Sequence, residues 1–141
     1  MDLGVKPIVQ PARVFHTKVE AQITQEVRKL LAARFIKLIQ HPKWLSNIVP
    51  VKKKNGQIRC CVDFHNLNKA CPKDKFSLPN IDFLVDSVAG NFMFSFMDGY
   101  SRYNQIRMVA KDVEKTTFRT SIENFYYTVL PFGLKNAGAT Y

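Results

Sequence analysis

Hydrophobic positions along this 141-residue chain change period several times, and each change predicts an element. Residues 1–23, interrupted by Pro7 and Pro11 and without a sustained period, predict an extended arm. Thr24 offers a helix N-cap with Glu26 in the first turn, and Val27, Leu30 and Leu31 form one apolar stripe, so a helix is predicted over 25–34. The β-rich run 35–39 predicts a short strand that stops at His41-Pro42, because the residue before proline avoids the helical region. Two further β-rich runs, 47–54 and 57–64, flank Asn55-Gly56 and predict a hairpin with both turn residues at positive φ. Pro50 cannot donate a ladder hydrogen bond and predicts that its strand lies at an edge.

A polar, irregular stretch with Pro72 and Pro79 leads into residues 80–90, where Ile81, Leu84, Val85 and Val88 have helical spacing and Gly90 is a natural terminator. Phe94, Phe96 and Met97 then read as a buried strand that ends on a single acid, Asp98. Further strands are predicted over 105–108, 116–120 and 125–130, the middle one preceded by a short helical turn near Val113. Taken alone, an aspartate at a strand end is a turn or cap residue. A buried strand that delivers one carboxylate to a polar site is the alternative.

Composition narrows the choice. The formal net charge is +10, and its distribution is uneven: residues 1–69 hold 13 Lys/Arg against 4 Asp/Glu, residues 70–141 hold 8 against 7. A basic first half, in a chain with 12% aromatic residues, favours a polyanionic partner over a merely solvating tail. Cys60, Cys61 and Cys71 are odd in number, and no leader of secretory type or apolar run near 18 residues is visible. The expectation is an intracellular protein, cytoplasmic or nuclear, not secreted and without a membrane partner. Adjacent cysteines in a strand point to opposite faces, so Cys60, Cys61, His65 and Cys71 do not read as a zinc site.

Three features stand together: the lysine-tipped hairpin, the apolar run ending in Asp98-Gly99-Tyr100-Ser101-Arg102-Tyr103, and Leu130-Pro131-Phe132-Gly133-Leu134-Lys135-Asn136-Ala137-Gly138-Ala139-Thr140-Tyr141. With Trp44-Leu45-Ser46-Asn47, Cys71-Pro72-Lys73-Asp74 and Lys115-Thr116-Thr117-Phe118, this order resembles the reverse transcriptase of gypsy-type LTR retrotransposons over residues 23–141. The resemblance implies an α+β chain, part of a right-hand polymerase fold: fingers over roughly 24–78 and the first part of the palm over roughly 79–141, an antiparallel sheet with packed helices. It implies an RNA-directed DNA polymerase that extends a primer on an RNA or DNA template with deoxynucleoside triphosphates.

The site residues follow from the same resemblance. Asp98 would be catalytic and, with the Gly99 carbonyl, would hold two Mg2+ ions, with Mn2+ as a substitute; hard cations call for such oxygen ligands. Lys53, with Lys54 as the alternative, and Arg59 would meet the triphosphate, as a point charge and a rigid five-donor fork can. Ser101 and Arg102 would offer backbone N–H groups to phosphate. Tyr103 would sit beneath the sugar and exclude a 2′ hydroxyl, and Phe132 and Gly133 would line the nucleotide pocket. Lys52, Lys54 and Lys135 would face nucleic acid.

Departures from the family pattern are equally specific. Arg102 stands where glycine is usual, Arg34 replaces a helix-ending glycine, and His65 stands where retroviral relatives often carry arginine. The family's other two catalytic carboxylates belong to a Tyr-X-Asp-Asp turn, and no such tetrapeptide occurs in these 141 residues. The expectation is therefore a fragment that lacks the rest of the palm, the thumb and the RNase H region of a parent polyprotein, inactive by itself, with an apolar sheet edge left open. The competing reading is a catalytically dead basic module that grips nucleic acid. A structural or partner-binding domain with a chance acid is the third.

Overall fold

The computed structural model describes residues 4–76, 79–95, 99 and 101–141. Helix α1 spans Thr17–Ala32, capped by His16, whose Nδ1 accepts from the Lys18 N–H at 3.3 Å. It begins eight residues before the predicted start, and the arm is extended only as far as His16. The stripe that drives it is Val19, Ile23, Val27 and Leu30, all packed on the core, so burial continues through the expected cap Thr24. The arm itself is fastened along the fold: the Gln10 N–H donates to the Leu45 carbonyl at 2.9 Å and the Leu45 N–H to the Ile8 carbonyl at 3.1 Å.

The end of α1 is a Schellman turn. The Phe35 N–H reaches the Leu30 carbonyl and the Arg34 N–H the Leu31 carbonyl, each at 3.0 Å, with Arg34 at φ +60°. A side chain in the left-handed region costs about 1 kcal/mol. Arg34→Gly should therefore raise stability by about 1 kcal/mol. A urea midpoint that stays put or falls would contradict the strain assigned to this position.

Strands β1 (Ile36–Leu38), β2 (Ser46–Lys52) and β3 (Ile58–Val62) follow, then α2 (His65–Ala70) and α3 (Ile81–Val88). A 3-10 turn at Arg102–Gln105, α4 (Ala110–Val113) and a second 3-10 turn at Glu114–Thr116 lead to β4 (Phe118–Arg119), β5 (Asn124–Tyr127) and α5 (Ala137–Thr140). The sheet order is β1-β5-β4-β2-β3. Its β2–β4 pair is parallel, with Ser46 opposite Phe118 and Asn47 opposite Arg119, so the sheet is mixed where an antiparallel one was expected.

The hairpin forms, with a different turn. Lys53 pairs with Gln57 through its N–H at 2.7 Å, the Gly56 N–H returns to the Lys53 carbonyl at 3.0 Å, and only Gly56 has positive φ in the loop. This is a three-residue loop, in which one left-handed glycine suffices. Pro50 faces Cys60. Bonded pairs are Asn47 with Asp63 and Lys53 with Gln57, and the alternation puts Pro50 at a non-bonded position where no donor is needed toward β3. On its other side β2 meets β4 only at Ser46 and Asn47, so β2 is interior at its start and an edge at Pro50.

Two predicted strands shrink. Over 105–108 the only pairing is an isolated bridge, Arg107 to Val129, because the chain has just left the turn at Arg102–Gln105. Thr116 and Thr117, both 0% exposed, spend their hydroxyls on the Val113 and Glu114 carbonyls, and the Tyr127 N–H donates to Thr116 Oγ1 at 3.0 Å. β4 is left with two residues. Helix α2 was missed, lying in sequence that reads as irregular.

The core joins α1 to the sheet: Ile23 and Val27 against Ile36, Ile48, Val62, Phe64, Phe118, Phe125 and Tyr127. By contrast α3 forms with Asn80 as N-cap and Gly90 at φ +87°, yet none of its described residues is buried; Phe83 is 75% exposed. Phe94, expected inside a strand, is also exposed and in no described strand, and Phe96, Met97 and Asp98 lie outside the described residues. Apolar surface is left open here, on α3 and residues 92–94. Among the described residues, no helix is long and apolar enough to cross a membrane.

Candidate nucleotide and nucleic-acid site

Four residues from three stretches of chain converge. Tyr103, half-buried in the turn Arg102–Gln105, meets the Phe132 ring with centroids 4.9 Å apart and the Tyr141 ring at 5.3 Å, the latter perpendicular. Edge-to-face contacts of this kind are favoured by the ring quadrupoles. Gly99 completes the group: a Cβ at this position would meet the Tyr141 hydroxyl, so any other residue would displace that ring's outer end. Tyr141 was not singled out from the sequence. Its only signal there is an aromatic residue at the end of the motif that begins at Leu130.

The turn before Tyr103 is strained. Ser101 has φ +60° and Arg102 φ +40°, two successive residues in the region that favours glycine. The Arg102 N–H donates to the Gly99 carbonyl at 3.1 Å, and Asn104 bonds back to Ser101 through its backbone N–H at 3.0 Å and its side-chain amide at 3.3 Å. A carbonyl has two lone pairs, so Gly99 keeps acceptor capacity for a cation. The Arg102 N–H, expected to face phosphate, is directed to Gly99 in this arrangement.

Gly133 has φ +93°, and a Cβ there would make only ordinary contacts with the Val62 carbonyl and Phe64; backbone conformation, more than crowding, accounts for the glycine. Its carbonyl accepts from Asn68 Nδ2 at 2.7 Å, while Asn68 Oδ1 accepts from the Lys135 N–H at 2.8 Å. Lys135 Nζ donates to the Cys71 carbonyl at 3.1 Å, and Asn136 Nδ2 to the Pro72 carbonyl at 2.9 Å. These bonds clasp residues 133–136 to α2 and the segment after it. Asn68 and Asn136 carry that clasp; Asn136 lies within the motif that begins at Leu130 but had no role assigned there, and nothing in the sequence pattern marks Asn68.

Lys52, Lys53, Lys54 and Arg59 form a second group, all exposed on the hairpin, with Arg59 opposite Val51 and Lys52 opposite Ile58. Behind them, burial and the neighbouring Glu26 and Cys61 push the Cys60 thiol up to about 11, so it stays neutral at ordinary pH. Asp98 lies outside the described residues. Among the described residues no cluster of three or more His, Cys, Asp or Glu could hold a metal ion. The donors offered at residues 98 and 99 are a carboxylate and a backbone carbonyl, hard oxygens of the kind that suit a divalent cation such as magnesium.

Comparison with known proteins gives a consistent result. Residues 51–141 match the family described as reverse transcriptase (RNA-dependent DNA polymerase). An RNA-directed DNA polymerase homolog of Oenothera berteroana is 39% identical over 84 residues, covering 60% of this chain and 59% of that protein. The Retrovirus-related Pol polyprotein from transposon opus of Drosophila melanogaster is 32% identical over 142 aligned positions, 96% of this chain but 14% of the polyprotein. The chain thus spans only part of each of these relatives.

Solved structures agree on the fold. The selenomethionine-labelled prototype foamy virus protease-reverse transcriptase CSH mutant superimposes with a TM-score of 0.78 at 17% identity, over 99% of this chain and 19% of that one. The foamy viral protease-reverse transcriptase dRH, solved in complex with ds DNA, gives 0.76 at 20% identity, over 99% and 24%. The partial polymerase fold and the family match converge on one conclusion: the chain belongs to the reverse transcriptase family, alongside the Pol polyproteins of gypsy-type retrotransposons.

Proposed function

We propose that residues 24–78 are the fingers and 79–141 the first part of the palm of an RNA-directed DNA polymerase that extends a primer on an RNA or DNA template. The observation that carries this reading is the contact of Tyr103 with Phe132, near Gly99, which brings together the two segments the family motif assigns to the nucleotide. Tyr103 excludes a 2′ hydroxyl by bulk, Phe132 and Gly133 bound the base, and Ser101 and Arg102 form the turn behind the phosphates. Lys53 or Lys54 and Arg59 neutralise the triphosphate from the hairpin. Lys52, Lys54 and Lys135 follow the nucleic-acid backbone. The remaining palm, the thumb and RNase H belong to the parent polyprotein, which works inside the cell, in cytoplasm or nucleus.

Reverse transcriptases in general use divalent metal ions. Here the Asp98 carboxylate and the Gly99 carbonyl would supply part of the ligand set for two Mg2+ ions, or Mn2+ in their place, the set being completed by the family's other two catalytic carboxylates. When bound, such ions activate the primer 3′ hydroxyl and neutralise the leaving pyrophosphate.

A second reading, a catalytically dead nucleic-acid gripper, is favoured by Arg102 in a left-handed conformation where the family usually has glycine. The purified 141-residue chain should bind a template-primer but not extend it, since one carboxylate cannot hold two ions in place. Equilibrium dialysis separates the readings. A polymerase fragment retains deoxynucleotide in a Mg2+-dependent manner that Asp98→Asn removes, while template-primer binding is unchanged. Nucleotide retention indifferent to Asp98 would favour the gripper, and no template-primer binding at all would sink both.

A further inference from the structure

The clasp that ties residues 133–136 to α2 borders a cavity of about 210 Å3 whose lining shares only Lys135 with the residues assigned above to nucleotide and nucleic acid. Its walls include Leu67, Ile106, Met108, Leu130 and Leu134, all apolar. Arg107, Lys115 and Lys135 also line it, against one carboxylate, Asp112. We propose that this cavity binds a small aromatic anion, a bicyclic ring bearing one carboxylate, with the ring against the leucines and the carboxylate among the cations.

Size and charge both support this occupant. A dry apolar cavity of about 150 Å3 already holds benzene, so this one has room for a second fused ring. Lys115 Nζ lies 2.6 Å from Asp112 Oδ1, and both side chains are more than three-quarters buried, so the single carboxylate is spoken for by one cation. Arg107 and Lys135 leave the lining net positive. Lys135 gives one Nζ donor to the Cys71 carbonyl, and an ammonium has three. The Cys71 thiol adds no negative charge, since burial raises its pKa more than Lys135 lowers it. A cation would meet the opposite balance and be repelled.

The test uses the purified 141-residue chain and three probes of one shape: 2-naphthoate, neutral 2-methylnaphthalene and cationic 2-naphthylmethylamine, followed by ligand-observed NMR and titration calorimetry. Naphthoate should bind about tenfold more tightly than the neutral probe, the scale of one charged hydrogen bond, and the amine should not bind. Met108→Trp should fill the cavity and abolish naphthoate binding. Should that variant fail to fold, Thr140→Trp, at the exposed rim, serves the same purpose. Arg107→Gln with Lys135→Gln should bring naphthoate down to the neutral probe. Equal binding of naphthoate and amine, or naphthoate bound undiminished by a folded cavity-filled variant, would overturn the proposal. Because none of these readouts involves nucleotide or template, they stand apart from the polymerase reading.

Discussion

Replacing Phe118 by alanine is expected to cost about 3–5 kcal/mol, the range for deleting a buried phenylalanine, and to leave the domain only marginally folded at room temperature. Phe118 is 1% exposed, with its ring 5.2 Å from that of Tyr127 and 6.1 Å from that of Phe125. It also occupies one of only two residues of β4, the strand that joins β2 on one side to β5 on the other. A cavity here loosens both halves of the sheet together. Domains of this size have about 5–15 kcal/mol in total, and the exposed apolar surface of α3 argues for the lower end. Phe118→Leu, which keeps most of the volume, should lose much less. Urea denaturation followed by tyrosine and tryptophan fluorescence measures both; an alanine variant within about 1 kcal/mol of wild type would show that the core does not hinge on this ring.

Nucleic-acid binding should be steeply dependent on salt, and the dependence should reside in three lysines. Each phosphate contact contributes about −0.9 to the slope of log affinity against log salt on a duplex. Changing Lys52, Lys54 and Lys135 together to glutamine should therefore flatten that slope by about 2.7. Equivalently, it should remove roughly fortyfold from the affinity lost between 50 and 200 mM salt. Lys52 and Lys54 are exposed on the hairpin and contribute little to packing, whereas Lys135 holds the Cys71 carbonyl, so its single change serves as the control for folding. Fluorescence anisotropy with a labelled template-primer reads the slope. An unchanged slope in a folded triple variant would remove these residues from the nucleic-acid path.

What was legible in the sequence was what short-range physics writes there. The hairpin around Asn55-Gly56, the left-handed Arg34 at the end of α1, Gly90 closing α3 and the turn near Val113 each depend on residues within a few positions of one another. The loop was misjudged by one residue and the start of α1 by eight, because Lys53 rather than Lys54 pairs with Gln57 and the stripe of α1 runs through an apparent cap. Long-range choices were not legible. Nothing local says that Ser46 will lie parallel to Phe118, or that Thr116 will spend its hydroxyl on Val113 and leave β4 two residues long. At the site, the motif pointed to Tyr103, Phe132 and Gly99. The third ring, Tyr141, and the asparagines that clasp residues 133–136 emerge only when distant segments meet.

The sheet order has a consequence for how this protein is made. Among the described residues β1 pairs only with β5, Ile36 opposite Tyr127, a partner synthesised 91 residues later. At a translation rate of about 5–20 residues per second, the first strand waits on the order of 5–20 s before its neighbour leaves the ribosome. Through that interval α1 can pack on β1 and the early hairpin, but the Phe118, Phe125 and Tyr127 side of the core is still missing, and the nascent chain is a natural client for a holding chaperone.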